Sequence, residues 1–213
     1  MKKIFIYIIV FIVFGSFSTH LTGDEFKKVE DPKVLVNKLD SLAKHVQSIK
    51  SDFVQLKHIS VLEEDIRSNG RFLFLKPANI KWSYLDPINY EISIVNETFK
   101  IKNDGKVSEY DTQSNKIFGE INTMIISMLN GSILTNESFH VDLFQNSLFY
   151  KAVLIPSNKD FKRFISEIHI YFNKSDFMVS KIRMVEASGD YTIISFQNRV
   201  LNSKLSISEL GFN

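Results

Sequence analysis

The sequence predicts a mainly antiparallel β-fold with a leading and a central helix, and three observations carry the prediction. Short β-rich runs follow one another along most of the chain, broken by turn-forming residues. Consecutive runs lack the helical crossover that a parallel sheet needs. Several runs are apolar on both faces, as in Arg71-Phe72-Leu73-Phe74-Leu75, so the sheet must be covered on both sides.

Taken in order, Asp31-Pro32 reads as an N-cap with proline at the first helical position. Leu35, Leu39, Leu42, Val46 and Ile49 then recur at steps of three and four, which predicts a helix over about 32–49. Strands follow over 51–60, 71–75, 80–85, 90–95, 99–102 and 107–110. Asn103-Asp104-Gly105 between the last two is a hairpin signal. Helical spacing returns at Ile117, Phe118, Ile121, Met124, Ile125, Met128 and Leu129, with Gly131 as an expected C-cap. Strands resume over 139–144, 148–155, 165–172, 177–185 and 191–198, separated by Asn173-Lys174-Ser175-Asp176 and Ser188-Gly189-Asp190. No internal repeat, low-complexity stretch or linker divides them, so residues 24–213 read as one domain.

A sheet of about ten or eleven such strands fits a filled sandwich or barrel, or an incompletely closed barrel with helices capping a greasy hollow. Two helices cover a large curved sheet poorly, which favours the half-open barrel. Composition agrees: the chain holds 19 Phe, each burying about 150–250 Å², more aromatic surface than a core of this size needs. The lone Trp82 shares a strand face with Ile80 and Tyr84. Phe72, Phe74, Ile92 and Ile94 belong to neighbouring strands, so Phe72, Phe74, Ile80, Trp82, Tyr84, Ile92 and Ile94 are the expected wall of an apolar binding site.

Residues 1–23 have the order of an export signal. Lys2 and Lys3 precede an apolar run from Ile4 to Phe14, and small polar residues follow. Cleavage is expected between Ser18 and Gly23. The eleven-residue run is shorter than the roughly twenty residues of a comfortable membrane span. Without Lys2 and Lys3, 24 basic residues face 24 acidic ones, and no basic excess points to nucleic acid. The chain has no cysteine, so no disulfide and no lipid-modified cysteine is available to it.

From Val46 to Asp111 the sequence resembles the outer-membrane lipoprotein carrier family of the LolA type. The resemblance rests on Val46-Gln47-Ser48-Ile49-Lys50-Ser51-Asp52-Phe53-Val54-Gln55, on Gly70-Arg71-Phe72-Leu73-Phe74-Leu75-Lys76-Pro77, and on Ile80-Lys81-Trp82 followed by Asp86-Pro87. The later Glu186-Ala187-Ser188-Gly189-Asp190-Tyr191-Thr192 hairpin fits the same family. It implies a half-open barrel capped by helices and a monomeric, periplasmic carrier. Such a carrier receives acylated lipoproteins from an inner-membrane ABC-type release complex and passes them to an outer-membrane acceptor. The same hollow would also suit a periplasmic sensor or regulator, or a carrier of another amphiphile. The family often has arginine before the conserved proline, fastening a lid helix; here the position is Lys76, a point charge where arginine offers a rigid fork. The expected lid is the segment 117–129, with Ile121, Met124, Ile125 and Met128 facing the hollow and Lys76 as its fastening. Its flexible methionines suit a surface that packs against cargo and barrel in turn.

No enzyme and no cofactor is expected. The histidines at 20, 45, 58, 140 and 169 have no metal-ligand spacing, and Glu63-Glu64-Asp65 reads as a solvated loop. No nucleophile elbow, P-loop or His-Glu-x-x-His occurs.

Overall fold

The computed structural model describes residues 24–111, 124–128 and 132–212. The export signal, Ile117 to Thr123, Leu129 and Gly131 lie outside the described residues, so the expectations placed on them, Ile121 included, are not addressed by it.

Twelve antiparallel strands form one open sheet: β1 (Lys27–Lys28), β2 (Ser48–His58), β3 (Ile66–Leu75), β4 (Asn79–Asp86), β5 (Tyr90–Val95), β6 (Thr98–Asn103), β7 (Lys106–Asp111), β8 (Phe139–Gln145), β9 (Phe149–Pro156), β10 (Ile165–Asn173), β11 (Val179–Glu186) and β12 (Tyr191–Leu201). Their order is β1-β8-β9-β10-β11-β12-β2-β3-β4-β5-β6-β7. Two meanders, β2–β7 and β8–β12, are thus zipped together by the pairing of β12 with β2. The sheet does not close, which gives the half-open barrel expected from the sequence. The strand beyond the expected eleven is β1, a two-residue piece on the edge of β8 and too short to carry a sequence pattern.

Helix α1 (Pro32–His45) begins as its sequence dictates: the Asp31 carboxylate accepts from the Lys33 N–H at 3.0 Å, with proline in the first turn. It ends earlier than expected. Val46 leaves the helix in an extended conformation, and Ile49 belongs to β2. Both are nonetheless buried. The apolar rhythm therefore survives the change from helix to strand, because both elements face one core. Residues 124–128 form a short helix, α2, followed by a 3₁₀ turn at Ser132–Thr135. Two further short helices, α3 (Lys159–Lys162) and α4 (Ile207–Leu210), were not anticipated.

The hairpin at Asp104-Gly105 is as predicted, both residues having positive φ (48° and 78°). Phe177 also has positive φ and sits in the β10–β11 turn, so β11 starts two residues later than expected. Apolarity on the outer face of the β2–β7 meander has a local explanation. Helix α4 packs on β3, β4 and β5, with Leu210 fully buried, the Ser93 hydroxyl donating to the Leu210 carbonyl at 2.6 Å, and Lys81 Nζ donating to the Gly211 carbonyl at 3.1 Å. Coverage of that side comes from the C-terminal segment and leaves the concave face as the place for a ligand.

Candidate functional site: an apolar hollow between two core clusters

Two apolar clusters share the concave face and α1 bridges them. The first joins Leu35 and Leu39 of α1 to Ala152, Leu154, Ile168, Ile170 and Phe172 on the β8–β12 meander. The second packs Leu42 and Val46 against Ile49, Phe53, Phe72, Phe74, Ile80, Ile94 and Phe99 on the other meander. Helical spacing in α1 thus serves both: one turn lies on each cluster.

A hollow opens where the clusters meet. Its lining comes from Leu39 and Leu42 of α1, Phe72 and Trp82 of the aromatic meander, Ile125 and Met128 of α2, and Phe172 and Ile182 opposite. The β10–β11 turn adds Phe177 and Met178, and β12 adds Phe196 and Arg199. The wall is aromatic and tilted edge-on: the Trp82 ring centroid lies 4.7 Å from Phe53, 5.3 Å from Phe72 and 6.0 Å from Phe196. Space inside is about 80 Å³, within about 700 Å³ of atom-free volume once the solvent-open mouth is counted. An engineered cavity of about 150 Å³ takes benzene or xenon, so the hollow as it stands is too small to enclose an acyl chain.

Strand register explains how the predicted wall is assembled. Phe72 pairs with Trp82 and Trp82 with Ile92, while Phe74 pairs with Ile80 and Ile80 with Ile94. Tyr84 stands opposite Gly70, the next inward position. All seven residues therefore share the concave face. Phe72 and Trp82 line the hollow; Phe74, Ile80 and Ile94 are sealed in the cluster beside it, and Tyr84 and Ile92 pack on that cluster half-buried. The Tyr84 hydroxyl donates to Gln55 Oε1 at 2.9 Å, and burial raises its pKa, the Trp82 indole opposing in part. Gly70 matters here because a Cβ would overlap the Ser83 carbonyl and the Phe53 ring, so Phe53 reaches Trp82 only over a glycine.

Of the expected lid residues, Ile125 and Met128 line the hollow and Met124 packs on the first cluster. Lys76, just past β3, bonds to the end of α1. Its ammonium donates to the carbonyls of Ala43 at 2.9 Å and Lys44 at 3.4 Å, capping the C-terminus of α1, and among the described residues it has no bond to α2. A cation at that end satisfies carbonyls left without helical partners and complements the helix dipole. Sequence reasoning missed the contribution of the second meander, Phe172, Ile182 and Phe196, and missed Arg199. Alternation places the first three on an inward face, but only the β12–β2 pairing brings them opposite Trp82.

Among the described residues no His, Asp and Glu cluster could hold a metal ion, and no helix is long and apolar enough to cross a membrane. His58, His140 and His169 lie on strands, each beside a carboxylate: Asp65, Asp142 and Glu167.

The family described as outer membrane lipoprotein carrier protein LolA matches residues 44–212. The chain belongs to that family. The family has a carrier or binding fold rather than a catalytic one, and it implies lipid or lipoprotein binding. No curated protein matches the sequence. Among solved structures, an uncharacterized conserved protein from Thermus thermophilus shares the fold at 7% identity, with a TM-score of 0.53 over 84% of this chain and 91% of that one. A LolA superfamily protein from Nitrosomonas europaea aligns at 10% identity and a TM-score of 0.43, over 84% and 97% of the two chains. The Pseudomonas aeruginosa MucA/MucB complex aligns at 11% and 0.49, over 84% of this chain and 60% of that one.

Proposed function

We propose that this protein is a periplasmic carrier that shelters the acyl chains of lipoproteins on their way from the inner to the outer membrane. The observation that carries the proposal is the apolar hollow at the seam of the two meanders, roofed by α1 and α2, in a chain of the lipoprotein-carrier family. Acyl chains in water cost about 0.8 kcal/mol per CH₂, so a soluble intermediary has to enclose them. The hollow is too narrow for them as it stands, and loading therefore requires the roof to lift. Segment 117–129, whose described part is α2, acts as the lid, with Met124, Ile125 and Met128 leaving the wall as cargo enters. Phe72, Trp82 and Phe196 are the first surfaces exposed, and Phe74, Ile80, Tyr84, Ile92 and Ile94 extend the wall as the lid withdraws. Lys76 holds the end of α1 down on the same roof. The partners in this role are an inner-membrane ABC-type release complex and an outer-membrane acceptor, with the carrier acting as a monomer.

The test is a release assay. Membrane vesicles carrying the release complex and a radiolabelled lipoprotein are given ATP and the mature protein, and the soluble fraction is sized. A soluble one-to-one complex is expected. A Phe72→Glu variant, which puts a charge on the wall, should stay folded by circular dichroism and release none. Equal release with and without the wild-type protein would overturn the proposal.

A further inference from the structure

The hollow is apolar except at one place. Arg199 is the one charged side chain among the described residues that line it. The side chain is only 17% exposed, and its guanidinium donates to the Val179 carbonyl at 2.9 Å and to Asp176 Oδ2 at 2.8 Å.

A fault in strand alternation puts it there. Along β12, Ile194 and Phe196 face the concave side. Unbroken alternation would send Asn198 inward and Arg199 out to solvent. Instead the register with β2 jumps between Gln197↔Asp52 and Val200↔Lys50, so that Asn198 and Arg199 together stand opposite Ser51. Asn198 takes up the irregularity with φ of 50°, and its side-chain amide donates to Asp52 Oδ2 at 2.9 Å. Asn is among the residues that tolerate this conformation best. The phase then flips: Arg199 turns into the hollow, and Leu201 beyond it packs on the concave cluster. Bulges that re-aim one side chain gather at functional sites. Without this one Arg199 would be fully hydrated, and the fold desolvates it instead.

The pairing decides what such a guanidinium can bind. Asp176 cancels its charge, so the mouth of the hollow is close to neutral while still rich in donors. Of the five N–H groups of an arginine, two are used by the described partners, leaving three. An incoming carboxylate or phosphate would meet Asp176 as well as Arg199 and be repelled by it. A neutral carbonyl meets no such opposition. We propose that Arg199 is the polar anchor of the cargo, donating to the carbonyl oxygens of the ester or amide links at the head of the acyl chains while the tails lie along Phe72, Trp82 and Phe196. The substrate class is then neutral acyl esters and amides, ahead of free fatty acids and of hydrocarbon tails without a carbonyl. The inference rests on the reading of the hollow as a lipid site.

Three ligands of equal tail length test it: monopalmitoylglycerol, its ether analogue hexadecylglycerol, and palmitate, each titrated against Trp82 fluorescence at neutral pH. The wild-type protein should bind the ester about tenfold or more tighter than the ether, the scale of one hydrogen bond to a charged donor. Arg199→Met should erase that ratio and leave ether binding within about twofold, since apolar packing alone remains. Asp176→Asn keeps the guanidinium and removes its counter-charge, so palmitate should gain on the ester; this variant and the wild-type ratio carry the test if Arg199→Met fails to fold. Equal affinities for ester and ether in the wild type, or a ratio that survives Arg199→Met, would overturn the anchor and leave the carrier proposal standing. Failure of all three ligands to bind would overturn both.

Discussion

The two core clusters present different materials to the same helix. Under the first half of α1 the buried wall is mostly aliphatic, with Phe172 its buried ring: Ala152, Leu154, Ile168 and Ile170 have no exposed surface at all. Under the second half it is aromatic, and several of its members, Trp82, Tyr84 and Phe196, are only partly buried. Small and β-branched chains interdigitate to native density. Large rings meeting edge-on leave gaps between them. One cluster therefore anchors the roof, and the other supplies surface that can be uncovered. A carrier needs both, because a site sealed throughout could not load and one open throughout would hold no fold.

The sharpest way to break this contrast is to empty the sealed half. Ile170→Ala should cost about 2–5 kcal/mol of stability, read as a lower denaturant midpoint with an unchanged slope. Binding of an apolar dye by the surviving folded protein should persist, since Ile170 does not line the hollow. A loss of dye binding without loss of stability would mean that the halves are not distinct in this way. Gly70→Ala probes the aromatic half from its backbone. Its Cβ would press on the Ser83 carbonyl and the Phe53 ring, and overpacking of this kind costs about 1–3 kcal/mol. Trp82 emission should shift with it, as Phe53 is displaced. Phe196→Ala completes the series. A fully buried Phe costs about 3–5 kcal/mol to truncate, but this one borders space that already exists, so about 1–2 kcal/mol is expected. Dye affinity should fall at the same time. A stability cost equal to that of Ile170→Ala would erase the difference between the two clusters.

Much of this contrast was legible in the chain. Alternation and turn chemistry gave eleven strands, and the doubled apolarity of Phe72 to Leu75 pointed to cover on both faces. The seven residues expected on the wall share one face because they lie on adjacent hairpins, where register follows from short turns, and of them Phe72 and Trp82 line the hollow. What failed was whatever depends on long-range pairing. Phe172, Ile182 and Phe196 line the hollow with Trp82 only through the β12–β2 junction, which pairs strands more than a hundred residues apart. Arg199 was invisible for a different reason: its strand reads as regular until the bulge, and one residue in a left-handed conformation leaves no periodic trace. Lys76 was singled out from the sequence, but its partner at the end of α1 was not foreseen, since helix C-terminal carbonyls carry no sequence signature.

That partner makes Lys76 a smaller lever on the same comparison. By capping α1 it holds down the half of the helix that lies on the aromatic meander. Lys76→Met should cost about 0.3–1 kcal/mol, the worth of an exposed cation at a helix C-terminus. The rate at which an apolar dye enters the hollow should rise, because the aromatic side loses part of its roof. Lys76→Arg should slow entry, its fork offering more donors to the same carbonyls. Stopped-flow fluorescence compares the three proteins. Identical entry rates would show that α1 stays in place during loading.

The least effect is expected at the upper end of the seam, where the turn between β11 and β12 is tied to the β2–β3 loop. The Asp190 carboxylate accepts from the Ser60 N–H at 2.8 Å, and that hydrogen bond is the largest of several influences holding its pKa below the ordinary 3.8. A carboxylate with a depressed folded pKa adds stability above its unfolded value and loses it as pH falls through the folded one. The contribution of this tie should therefore be whole at neutral pH and fade only below about pH 4. In Asp190→Asn the amide oxygen still accepts from Ser60, but without charge, so the variant should be slightly less stable at pH 7. As the acid limb is descended the gap should close, because the wild-type carboxyl becomes neutral too. Thermal melts of both proteins at intervals between pH 7 and pH 3 read the difference directly. A gap that stays constant across that range would mean that Asp190 acts through its shape alone. In that case the seam is held chiefly by the β12–β2 pairing and, towards its other end, by the Asn198 amide donating to Asp52 Oδ2.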